Sequence, residues 1–153
     1  MKNPEGDGSR AAEVTGNRLM AFTVGLALGL YRKGHWFSFE HPTSALSWHL
    51  PAVKKLSSLP GVRKVRFCQC MYKLSIAGCS QGEYVQKDTT ILTNAPLETL
   101  CCPCDRQHKH MVLVGKVRVK GQWQSKSALA GAYPPLLSQA WARAASLGLS
   151  GLA

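Results

Sequence analysis

The chain opens on 15 residues, MKNPEGDGSRAAEVT, that are polar, contain glycine and show no apolar period; this predicts a flexible leader over 1–15. From Asn17, read as an N-cap, NRLMAFTVGLALGLYRKG has helical length, ends in Arg32 and Lys33, and stops at Gly34. So apolar a run predicts a helix buried on most sides, with Gly25 and Gly29 lining a close helix-on-sheet contact. HWFSFEHP reads as a buried strand closed by Pro42, and PAVKKLSSL as a helix opened by Pro51 and ended at Pro60-Gly61. VRKVRFCQC alternates imperfectly, and TTILTN is rich in β-branched residues; both read as strands. APLETL predicts a brief helical turn. MVLVGKVRV predicts two short strands, or a bulged one, around Gly115, and PPLLSQAWARAASLG a last helix with Leu137, Trp141 and Ala144 on one side.

This order predicts an α/β fold with a terminal antiparallel hairpin and a C-terminal helix, as one domain over 16–147 with a disordered tail at 148–153. A doubly wound domain normally begins with a strand and a Gly-rich loop, and no such unit precedes Leu19. The expectation is therefore a small α/β domain in its own right or the carboxyl half of a larger one.

Charge sharpens the picture. Nineteen Lys and Arg stand against eight Asp and Glu, a formal net charge of +11, and such a field attracts polyanions, nucleic acid above all. The bland alternative is non-specific basicity. Residues 41–120 carry 12 of the basic groups and only four acids. The longest apolar stretch, Leu19 to Tyr31, is 13 residues, whereas a bilayer span needs about 20, so no membrane partner is expected. Acids and bases balance in the first 18 residues, unlike a secretory leader. The expected location is intracellular, nuclear or cytoplasmic, with six cysteines held as thiols or metal ligands.

The stretch GNRLMAFTVGLALGLYRKGHWFSFEHPTSALSW resembles the helix-strand-turn unit of cytosine-5 DNA methyltransferase-like proteins, in which the strand ends in Glu-Asn-Val or Glu-Asn-Pro. With VRKVRFCQCMYKLS, KDTTILTN, CDRQHKH and AYPPLL, it is similar to the divergent domains of that family carried by mobile elements and viruses, over about residues 16–140. The resemblance implies a partial Rossmann-like methyltransferase sheet. It makes Glu40 the catalytic carboxylate that would hydrogen-bond a flipped cytosine. A carboxylate at the carboxyl end of a strand in an open α/β sheet also faces the ligand crevice on physical grounds; the alternative is a Glu capping Thr43 and Ser44 or pairing with an Arg. Departures are several: His41 stands for Asn, Cys68 for Asp, Lys73 for Gly and Asp88 for Pro. No Pro-Cys precedes residue 100, and only 15 polar residues precede the helix where the family's nucleophile and methyl-donor loops would lie.

The remaining chemistry sits in LCCPCDRQHKHM, where three cysteines and two histidines fall between Cys101 and His110. Zinc takes four thiolate and imidazole ligands, yet three residues between Cys104 and His108 are too few for a standard finger. The expected site draws Cys104, His108 and His110 from the loop and Cys70 from the neighbouring strand end, positions that also match the family pattern. Two alternatives stay open: solvent-facing histidines beside semi-buried thiols, or redox chemistry at Cys101-x-x-Cys104. Arg63, Lys64, Arg66, Arg106, Lys109, Lys116, Arg118 and Lys120 are the candidate phosphate contacts, with Trp123 able to stack a base or serve as core.

The leading functional expectation is a truncated, inactive DNA methyltransferase-like domain that binds nucleic acid and a structural zinc. S-adenosylmethionine enters only if a missing half is supplied by a complementing chain. The alternatives are a small zinc-stabilised nucleic-acid-binding module and an active split-enzyme subunit. Unpaired apolar surface would favour a homodimer or such a complementing chain.

Overall fold

The computed structural model describes residues 3–150. Its first helix, α1, spans Ala11–Arg32 and begins a turn and a half before the sequence pattern suggests. Ala11, Ala12 and Glu13 are strong helix formers that need no apolar stripe, so the polar reading of 1–15 missed them. Asn17 is not the cap; its side-chain amide donates to the Glu5 carbonyl at 2.7 Å. The helix closes on Gly34, φ +73°, where the Gly34 N–H meets the Tyr31 carbonyl and the His35 N–H the Leu30 carbonyl. That pair of bonds is the Schellman stop, and the left-handed position is why glycine stands there.

The remaining elements, in order, are β1 (Ser38–Pro42), a 3-10 turn (Leu46–His49), α2 (Pro51–Ser57), β2 (Arg63–Cys68), a 3-10 turn (Gln69–Tyr72), β3 (Glu83–Val85) and β4 (Asp88–Thr93). A 3-10 turn (Glu98–Leu100), β5 (Lys109–Met111), β6 (Lys116–Val119), β7 (Gln122–Ser125), α3 (Lys126–Leu129) and α4 (Pro135–Ser150) complete the chain. This is a mixed α/β fold with three small sheets: β1-β4-β2, β3 beside β5, and β6 beside β7. A terminal antiparallel hairpin is present as β6–β7, but it turns at Lys120–Gly121 rather than at Gly115 and forms a sheet of its own, and the C-terminal helix is α4. That helix runs on to Ser150 through the start of the stretch expected to be a tail; 151–153 lie outside the described residues.

The chain divides into two compact units: Met1–Val65 with Thr90–Ala95, and Arg66–Thr89 with Pro96–Ala153. In the first, Val24 and Ala27 of α1 pack with Phe37, Phe39, Trp48, Leu50, Val53, Leu56 and Leu92. Each large side chain so buried contributes about 1.5–3 kcal/mol. Helix α1 uses only this one side: Leu19, Phe22 and Leu26 are 62%, 70% and 55% exposed, so the helix is not buried on most sides. Open space surrounds Gly25 and Gly29, and the close contact expected of them does not form. An apolar run of this length predicts helix, but only the partners that exist can cover it.

In the second unit, Leu74, Val85, Met111 and Ala130 form a small core with Ile76, Cys79 and Leu113 packed on it. Helix α4 packs on the 3-10 turns Gln69–Tyr72 and Glu98–Leu100, burying Leu137 and Ala144.

Candidate metal centre

Three local features of the second unit bring distant residues together. Where β2 ends, the chain turns through Gln69–Tyr72, which buries Cys70. The turn closes with Lys73 in the left-handed region, φ 59°. The segment after Leu100 is pinned alongside: Phe67 bridges Cys102 in parallel, the Cys68 N–H donates to the Cys102 carbonyl at 2.9 Å, and the Tyr72 hydroxyl donates to the Leu100 carbonyl at 2.9 Å. Two residues later Cys104 stands beside Cys70. Strand β5 is then held parallel to β3 in the register Glu83–Lys109, Tyr84–His110 and Val85–Met111, which fixes His110.

The result is that Cys70, Cys104, His108 and His110 present one ligand atom each, all within 4.8 Å of one another, and this group could hold a metal ion. His108 Nε2 lies 3.0 Å from His110 Nε2, and Cys104 Sγ lies 3.4 Å from His110 Nε2 and 3.9 Å from His108 Nε2. A tetrahedron with metal–nitrogen bonds of about 2.0–2.1 Å and metal–sulfur bonds of about 2.3 Å has edges of about 3.3–3.8 Å. The three separations among Cys104, His108 and His110 bracket those edges, and Cys70 Sγ lies within 4.8 Å of all three atoms.

Supporting contacts point the same way. The Arg106 N–H donates to Cys104 Sγ at 3.3 Å and holds the sulfur in place. Arg106 has φ 61°, and that left-handed kink turns the amide back on the sulfur. His108 Nδ1 faces Asp105 Oδ1 at 3.4 Å, which leaves Nε2 for a cation, while the same oxygen accepts the Gln107 N–H at 3.0 Å. Tyr84 packs edge-on against His108, ring centroids 5.4 Å apart. Burial, then the thiols of Cys68 and Cys104, push the Cys70 thiol upward, so a thiolate there needs a positive charge beside it. Asp105 was missed in the sequence; its signal was the position three residues before His108.

Cys101 is exposed and precedes coil, so Cys101-x-x-Cys104 does not open a helix as a thioredoxin-like pair would. Burial pushes the Cys68 and Cys102 thiols upward, which makes them poor nucleophiles. All six cysteines are free thiols, and all six lie in the second unit.

Glu40 lies in the first unit, half-buried on β1, where it lines a cleft of about 530 Å³ with Asn17, Met20, Thr23, Phe39 and His41 among others. Among the described residues its carboxylate has no hydrogen-bond or ion-pair partner, so neither the turn at Thr43 and Ser44 nor an Arg holds it.

The basic candidates divide. In the first unit, Arg63 donates to the Gly61 and Ala95 carbonyls, and Lys64 Nζ sits 5.0 Å over the Trp48 ring. In the second, Arg66 pairs with Asp88 at 3.0 Å, while Arg106, Lys109, Lys116, Arg118 and Lys120 are exposed. Trp123 is 67% exposed, opposite Arg118 on the hairpin, and does not serve as core.

No helix among the described residues is long and apolar enough to cross a membrane. No protein-family model matches the chain, and searches of curated proteins and of solved structures find no relative. Fold and site together define a mixed α/β protein with a Cys2His2 cluster able to hold a metal ion.

Proposed function

We propose that this chain is a nucleic-acid-binding domain whose second unit is fixed by one structural zinc ion. The observation that carries the reading is the convergence of Cys70, Cys104, His108 and His110. Two thiolates and two imidazoles are a zinc donor set, and four protein ligands leave no open position for catalysis. Nucleic acid is the partner because the ligand loop opens an acid-free stretch: Arg106 to Ala153 holds seven basic residues and no Asp or Glu. Such a field favours phosphates, with contacts that are salt-sensitive and indifferent to sequence.

The test is elemental analysis of the purified chain and of a His108→Ala/His110→Ala variant, with nucleic-acid retention measured against salt. About one zinc per chain, lost in the variant with much of its thermal stability, supports the reading. A metal-free native chain that does not retain nucleic acid refutes it.

The second reading, a truncated methyltransferase-like domain with a partial Rossmann-like sheet, is favoured by the unpartnered carboxylate of Glu40 in its cleft. The first unit contains no cysteine, so the nucleophile of that chemistry is missing from it. Uptake of S-adenosylmethionine by the isolated chain would overturn the inactive form of this reading in favour of a methyl-transfer enzyme. Uptake only on adding a second polypeptide would make the chain a split-enzyme subunit.

A further inference from the structure

The hairpin β6–β7 has two unlike faces. Its pairs are Lys116–Ser125, Val117–Gln124, Arg118–Trp123 and Val119–Gln122, so Lys116, Arg118 and Trp123 share one face and Val117 and Val119 the other. The valine face looks inward: Val117 lies so close to Gly78 that a Cβ there would come within 3.2 Å of its Cγ2. The opposite face is exposed at Lys116, Arg118 and Trp123, and Lys120 extends it at the turn.

This ribbon is clamped. Lys120 and Gly121, φ 49° and 83°, make the two-residue turn whose twist suits a hairpin. Arg118 Nε donates to the Gly121 carbonyl at 3.2 Å, which leaves the two terminal nitrogens of the guanidinium facing outward. At the base, the Lys126 N–H donates to the Gly115 carbonyl at 3.1 Å and Ser125 Oγ caps α3 through the Ala128 N–H at 3.2 Å.

A large aromatic ring left 67% exposed on this ribbon buries little within the fold, and Lys116, Arg118 and Lys120 give the same hairpin three cations, a field that favours an anion. We infer that this face is a binding site for single-stranded nucleic acid, with Trp123 stacking one base and Lys116, Arg118 and Lys120 taking the phosphates on either side. The inference rests on the nucleic-acid reading above and narrows it to single strands, because a base inside a duplex offers no free face to the ring.

Fluorescence anisotropy with a labelled 20-nucleotide oligothymidylate and with a 20-base-pair duplex tests it on the full chain. Wild type is expected to bind the single strand at least about fivefold more tightly than the duplex. Trp123→Ala should lose at least about fivefold on the single strand, the lower edge for one stacked base, and less than twofold on the duplex, with Trp123→Phe retaining most of the affinity. Lys116→Gln/Lys120→Gln should weaken both probes and flatten the salt dependence. The side chain is exposed, so Trp123→Ala leaves the fold intact. Unchanged single-strand affinity in Trp123→Ala, beside weakened Lys variants, overturns stacking and leaves the basic nucleic-acid reading standing. Preference for duplex also overturns it, in favour of groove docking. No binding of either probe overturns both.

Discussion

Asp105 is the most discriminating residue at the candidate metal centre because it supports the cluster without being one of its four ligand residues. Its Oδ1 does two jobs: it faces His108 Nδ1 at 3.4 Å and accepts the Gln107 N–H at 3.0 Å. Asp105→Asn keeps a carbonyl oxygen for both and removes only the charge; Asp105→Ala removes the acceptor and frees the turn that delivers His108. Carboxylates behind ligating histidines are worth about 10–100-fold in metal affinity. At 3.4 Å, with Asp105 exposed to water, the lower end applies: about tenfold, or about 1.4 kcal/mol, for Asp105→Ala, and about threefold for Asp105→Asn. Competition for zinc against a chromophoric chelator at neutral pH measures both. Asp88→Asn, which loses the Arg66 ion pair, is the control and should change affinity less than twofold. Equal affinities in wild type and Asp105→Ala would refute the reasoning, because His108 would then be oriented without Asp105 or would not be a ligand. An equal loss in Asp88→Asn would refute it differently, since any lost negative charge would then suffice.

The metal-free chain should lose stability above about pH 9: the Cys70, Cys68 and Cys102 thiols are raised in the fold from an ordinary value of 9.0, so their contribution is present below that pH and fades as pH climbs through the folded values. The zinc-loaded chain should do the opposite between pH 5 and 8, because its ligands must shed protons to bind, and melting curves at stepped pH with zinc or with chelator distinguish the two. Lys73→Gly relieves a left-handed backbone at φ 59° and should stabilise by about 0.5–1 kcal/mol, a gain of about 2–4 °C by thermal denaturation. Phe22→Ser should cost less than about 0.5 kcal/mol in urea titration, whereas a core phenylalanine at that position would cost about 3–5. Chelation should speed hydrogen exchange at Val85 and His110 and leave α2 in the other unit unchanged.

Long or strongly patterned segments were legible in the sequence. Pro51 and Pro135 announce α2 and α4, the β-branched run Thr89–Thr93 announces β4, and Gly34 ends α1 where a left-handed residue is needed. Strand β3 was not legible, because Glu83-Tyr84-Val85 is too short to show alternation; it exists through its pairing with β5. The exposure of Leu19, Phe22 and Leu26 was equally hidden, since hydrophobicity tells which residues favour burial and not whether a partner is there to bury them. At the metal centre the four residue types could be chosen in advance, but their convergence depends on the Phe67–Cys102 bridge, a contact 35 residues apart in sequence that no local pattern encodes.

That dependence shows what an ion on these four residues would add to the second unit. Its strands are short: β3 and β5 have three residues each, and β6 and β7 four. Two-stranded sheets of that length are marginal in water, and the cluster of Leu74, Val85, Met111 and Ala130 packed against β3 and β5 is small. A single ion on Cys70, Cys104, His108 and His110 would join the turn after β2, the loop after Leu100 and strand β5 at one point. It would close chain segments of 34, 4 and 2 residues in one step, a restriction of the unfolded chain. The hairpin with Trp123 follows β5 within five residues, so the element that carries the exposed ring and its cations hangs from the strand the ion anchors. Zinc loading and nucleic-acid affinity, measured together on the loaded and chelated chain, are therefore expected to rise and fall together.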